Sequence, residues 1–105
     1  MIVHTVTFRW HQSVTAAQVD EFTAALSALP SQVPVLASYR FGPDLGLREA
    51  NADYAVVAVV RNEDDVSTYL DHPAHVAVIR QYTQTMAASR SAVQFTLSET
   101  EYLSQ

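Results

Sequence analysis

The first ten residues, MIVHTVTFRW, alternate. Ile2, His4, Val6, Phe8 and Trp10 fall on one side and Val3, Thr5, Thr7 and Arg9 on the other, which is the period of a half-buried strand. The period changes at Thr15. TAAQ, Thr15 to Gln18, has the form of a capping box, and Val19, Phe22, Leu26 and Leu29 then recur at helical spacing until Pro30, where the helix is expected to stop. Pro30 and Pro34 frame a connection into VLASYRF (35–41), a second strand expected to end at the Gly42-Pro43-Asp44 turn. LGLREANA reads as a surface loop.

DYAVVAVVR is a third strand with two apolar faces, Tyr54, Val56, Ala58 and Val60 on one and Ala55, Val57 and Val59 on the other, so it requires cover on both sides. EDDVSTYLD predicts a short helix with Val66, Tyr69 and Leu70 on its apolar side, and Asp64 and Asp65 suit the positive end of its dipole. It should end near His72. Pro73 fits the first position of a further helix, along which His75, Ile79, Tyr82 and Met86 make one stripe at i, i+4, i+7 and i+11. SAVQFTL (91–97) alternates as a fourth strand, and SETEYLSQ is a polar tail.

The order β-α-β-β-α-α-β is that of a ferredoxin-like α+β sandwich with its second helix broken in two. It gives one domain over residues 1–98 and a C-terminal tail over 99–105. Helices in this architecture cover one face of the sheet, so the doubly apolar third strand predicts a homodimer in which a second copy covers the other.

Composition narrows the chemistry. The 105 residues suit a single modest core, and 49% hydrophobic against 16% charged residues describe a chain that folds. Without cysteine there are no disulfides, thiolate nucleophiles or iron–sulfur clusters. All six basic residues are arginine, which removes lysine Schiff bases and points to a GC-rich bacterial genome. Gly42 and Gly46, the only glycines, are too few for a dinucleotide-binding turn. A net charge of −5 disfavours nucleic acid and anionic membrane surfaces as partners. The N-terminus reads as a strand and not as a leader, and no apolar run approaches a membrane span. The expectation is a soluble, cytoplasmic protein that uses no cofactor.

The candidate chemistry sits on the inward faces. His75 and Tyr69 should both face the layer between helices and sheet, as should His4 on the bulky side of the first strand. Inward polar groups need partners or a cavity. A partly desolvated imidazole stays neutral and can take a proton from a carbon acid if a donor polarises the carbonyl, and Tyr69 can be that donor. Each residue also has a structural explanation. His4 can be a satisfied core histidine, Tyr69 a core tyrosine with its hydroxyl bonded, and His72 a helix-start residue ahead of proline. A metal on His72 and His75 would need a third ligand, for which Asp71 is the nearby carboxylate; no metal is expected. His11 reads as a solvated turn residue. No nucleophile-elbow serine pattern is present, and the carboxylates are scattered on predicted surfaces, so a glycosidase pair is not indicated.

Over nearly its whole length the chain resembles the stress-responsive A/B barrel (Dabb) family, through MIVHTVTFRW, SYRFGPDLGLR, YLDHPAHVAVI and SRSAVQF. The resemblance implies a dimer whose sheets form an α/β barrel. It leaves activity open, since most members are stress-associated or uncharacterised, while one plant member is a cofactor-free polyketide cyclase. Carried over by position, Tyr69 and His75 match that enzyme's catalytic tyrosine and histidine and His4 a histidine lining its site, whereas Val56 stands where it has a further histidine. The expectation is therefore a small apolar pocket in which His75 is the base and Tyr69 the carbonyl donor, lined by His4, Val6, Phe8, Val56, Ile79 and Tyr82. A β-polyketone or similar enolisable compound would be its substrate. The alternative is a non-catalytic stress-responsive dimer that binds a hydrophobic small molecule or acts through assembly. A cofactor-free monooxygenase is a third reading, by fold analogy alone.

Overall fold

The computed structural model describes residues 1–104. Its elements are β1 (Ile2–Trp10), α1 (Ala16–Gln32), β2 (Ser38–Pro43), β3 (Tyr54–Val60), α2 (Glu63–Leu70) and α3 (Pro73–Val78). The helix then continues through a π-helical turn (Ile79–Thr83) and one further turn, α4 (Gln84–Met86), to β4 (Ala87–Thr96) and the short α5 (Glu99–Leu103). The strands form one antiparallel sheet in the order β2-β3-β1-β4. This is the expected ferredoxin-like α+β arrangement.

Pairing sets which side chains share a face. β1 sits between β3 and β4, placing His4 beside Ala58 and Gln94, Val6 beside Val56 and Ala92, and Phe8 beside Tyr54 and Arg90. Tyr39 and Phe41 of β2 join the same face through Ala58 and Val56. Against it pack Phe22, Leu26 and Leu29 of α1, Tyr69 of α2 and Met86, which complete the core. The Thr15 capping box starts α1 as predicted, with the Thr15 hydroxyl accepting the Gln18 N–H. On the opposite face Val57 is only partly covered, and Val93 and Phe95 keep 57% and 49% of their surface exposed.

Four boundaries differ from the sequence reading. Pro30 lies inside α1, which runs on to Gln32. Proline lacks an N–H to donate and crowds the carbonyl four residues back, but it already holds a helical φ, so near the end of the helix the final turn can continue past it. The second strand begins at Ser38 and not at 35, because Leu36 N–H closes a turn onto the Val33 carbonyl before Ala37 N–H reaches Val59 of β3. Pro43 ends it, as an edge strand permits. β4 starts at Ala87, four residues early; paired to β1 as far as Trp10, it lies on the exposed edge, where small and polar residues show no alternation. Within the tail of 99–105, residues 99–103 are helical: Ser98 and Glu101 form a second capping box, and the Tyr102 hydroxyl donates to the Ala37 carbonyl at 2.9 Å. Gln105 lies outside the described residues.

Candidate functional site

Two local devices place His75. His72 caps α3, its Nδ1 accepting the Ala74 N–H at 3.1 Å, and Pro73 follows at the first helical position. His72 is thereby engaged in starting the helix, while Asp71 ends α2 as its C-cap residue. One turn on, His75 points into the core with 8% of its surface exposed. Its Nδ1 lies 2.9 Å from the Leu70 carbonyl oxygen. A carbonyl only accepts, so Nδ1 carries the proton and Nε2 is left with a free lone pair. Burial holds the His75 pKa below its ordinary 6.5, against the bond to Leu70, which favours the charged form.

Tyr69, two residues before the α2–α3 junction, packs its ring 4.4 Å from that of His75, centroid to centroid. Its hydroxyl is 2.8 Å from that of Tyr39. Burial raises both phenols, Tyr69 to about 12, where the bond from Tyr39 holds it down. Either hydroxyl can donate across this bond; with Tyr39 as the donor, the Tyr69 proton is free for another acceptor.

His4 takes the opposite tautomer to His75. The Gln94 amide nitrogen donates to His4 Nδ1 at 2.7 Å, which leaves the His4 proton on Nε2. Burial, followed by the proximity of His75 and Arg90, lowers its pKa also. The neutral histidines therefore present one lone pair and one N–H.

These groups converge on a cavity of about 210 Å³ between helices and sheet. His4, Val6, Phe8, Val56, Tyr69, His75 and Ile79 all line it, as do Tyr39, Leu26, Thr83 and Arg90. Tyr82 does not. It packs instead against Phe22 in a tilted pair, with centroids 5.9 Å apart, because the wider π-helical turn at Ile79–Thr83 sets it back from the stripe and brings Thr83 to the wall. The space exceeds the roughly 150 Å³ that accepts benzene in an apolar protein cavity.

Sequence reasoning missed Tyr39, Arg90, Gln94 and the Leu70 carbonyl. Tyr39 was within reach, since the alternation of SYRF puts it on the same side as Phe41. Arg90 and Gln94 depend on the pairing of β4 with β1, a long-range match that no local pattern encodes.

Among the described residues, no helix is long and apolar enough to cross a membrane. No curated protein matches the chain. Among solved structures, a dimeric ferredoxin-like protein of unknown function from Thermobifida fusca is 47% identical with a TM-score of 0.85, over 91% of this chain and 90% of that one. A hydroxynitrile lyase from Passiflora edulis is 17% identical (TM-score 0.79, covering 93% and 94%). SnoaB, a cofactor-independent oxygenase from Streptomyces nogalater, is 15% identical (TM-score 0.69, 93% of each chain). The last two likenesses extend to the fold alone. The stress responsive A/B barrel domain model matches residues 2–97, and the chain belongs to that family.

Proposed function

We propose that this protein is a cofactor-free enolising enzyme of the polyketide-cyclase kind, working in the cytoplasm as a homodimer. The observation that carries the reading is the bond from His75 Nδ1 to the Leu70 carbonyl, which leaves Nε2 as a neutral base on a ring packed against that of Tyr69, both residues lining one cavity. His75 Nε2 takes a proton from the carbon next to a ketone, and Tyr69, held by Tyr39, donates to the ketone oxygen as it gains charge. The enolate carbon then attacks a second carbonyl of the same molecule, forming a carbon–carbon bond, and the alkoxide recovers the proton from the His75 imidazolium. Run backwards, the same steps are those of a lyase. A linear β-polyketone fits this chemistry. The homodimer is supported by the dimeric Thermobifida fusca relative and by the exposed Val93 and Phe95 on the sheet face opposite the site.

A second reading, a non-catalytic stress-responsive dimer that binds a small molecule, is favoured by one observation: among the described residues no side-chain nitrogen or oxygen fully shut off from solvent lacks a hydrogen-bond partner. Cyclisation of a linear β-polyketo thioester separates the two. The enzyme reading expects activity in the wild type and its loss in His75→Ala with the circular dichroism spectrum unchanged; undiminished turnover in the variant contradicts it.

A further inference from the structure

The cavity is apolar along most of its wall, yet it holds one formal charge. Among the described residues Arg90 lines it, and no aspartate or glutamate does. The arginine is exposed, so water reaches it where it borders the cavity. Pairing in the sheet explains its position. Arg90 lies opposite Phe8, on the helix-facing side of β4 that also carries Ala92 and Gln94. Gln94 is taken up by His4, and Phe8 and Ala92 offer the guanidinium no acceptor. A long cationic side chain beside apolar surface usually lays its stem along that surface and keeps its charged end in water. Arg90 is also close enough to act on both His4 and His75, disfavouring a positive charge on either.

A rigid five-donor fork of this kind matches a carboxylate in bidentate geometry. The other accessible polar groups of the cavity are neutral, so a negatively charged ligand meets no opposing charge in the lining. We infer that the ligand of this site is a small oxo acid, whose carboxylate pairs with Arg90 at the mouth while its carbonyl lies inside beside Tyr69 and His75. The position of the carbonyl rests on the enolising reading above; the carboxylate rests on Arg90 and the all-neutral remainder of the lining. The cavity volume limits the part enclosed to something modestly larger than a benzene ring. A long chain or a bulky carrier group would have to remain outside.

The test uses two ligands of one shape, 3-phenylpropanoate and 3-phenylpropanamide, titrated into the full-length protein and followed by amide chemical shifts. The wild type is expected to bind the carboxylate about tenfold more tightly than the amide or better. In Arg90→Gln that preference should vanish, with the carboxylate losing more affinity than the amide. His75→Gln should keep the preference, because the base takes no part in holding the carboxylate. Equal affinities in the wild type, a preference that survives Arg90→Gln, or no carboxylate binding up to millimolar concentration would each overturn the inference. A carboxylate preference combined with unimpaired turnover in His75→Ala would instead defeat the enolising reading and leave the anion site standing.

Discussion

The hydroxyl of Tyr39, on β2, lies 2.8 Å from that of Tyr69, on α2, so a strand and a helix thirty residues apart share one buried hydrogen bond. Removing the strand's member separates support from chemistry. Tyr39→Phe should cost about 1 kcal/mol of stability by leaving Tyr69 with one partner fewer. On the enolising reading, kcat should fall with KM little changed, since Tyr69 would stabilise the developing enolate less. Denaturant unfolding and steady-state kinetics on the one variant check both; a kcat equal to wild type would leave Tyr39 with a structural role alone.

The tautomer of His75 can be observed directly. Two-bond proton–nitrogen spectra of the imidazole at pH 7 should show the proton on Nδ1 and a bare Nε2, as the bond to Leu70 requires. His4 should show the reverse, because Gln94 donates to its Nδ1. In Gln94→Leu the His4 preference should relax while that of His75 persists.

Stability should fall in acid through the same two histidines. Burial holds both below their ordinary pKa of 6.5, so on lowering the pH the unfolded chain binds protons before the folded one. Above about pH 6.5 both states are neutral and this contribution is complete; below it, stability declines until the folded-state values are passed. For His75 the burial effect exceeds the opposing pull of the Leu70 carbonyl and of Asp71. Urea midpoints at pH 8, 7, 6 and 5 should be flat at first and then drop, and in His75→Gln the drop should be shallower.

The π-helical turn, the tail helix and the β4 residues show what could be read from the chain and what could not. His75 and Tyr69 were legible because a histidine after a helix-start proline and a tyrosine at helical spacing mark inward positions locally. A π turn differs from an α turn by one hydrogen-bond step and leaves no compositional trace, so Tyr82 and Thr83 exchanged places relative to the expected stripe. The tail helix obeys the rule that identified α1, a hydroxyl residue followed three positions later by a glutamine or glutamate; its polar composition hid it. Arg90 and Gln94 lie on an edge strand whose register is set by β1, ninety positions earlier in the case of His4 and Gln94. The Leu70 carbonyl is a backbone atom, and no side-chain pattern announces it.

Phe22 is the packing centre. With 1% of its surface exposed, its ring meets those of Phe8, Trp10, Tyr54 and Tyr82. Phe22→Ala should cost about 3–5 kcal/mol, a large share of the roughly 5–15 kcal/mol typical of a domain. Thermal unfolding should show a broad loss of midpoint, with the variant partly unfolded at physiological temperature.

The exposed sheet face offers a test of assembly. Phe95→Glu and Val93→Arg place charge on β4 positions that now present apolar surface. If a second copy covers this face, sedimentation should show a dimer in the wild type and a folded monomer or a weakened dimer in the double variant. A wild-type monomer at high protein concentration would remove the dimer from the account.

The most direct test of the central claim follows one proton. The rate at which a β-keto thioester takes up deuterium from heavy water at its α-carbon should rise well above the buffer rate in the presence of the wild-type protein. In His75→Gln it should return to the buffer rate, with the cavity fold retained. Exchange at the buffer rate in the wild type, or equally fast exchange in His75→Gln, would contradict the claim that His75 is the base.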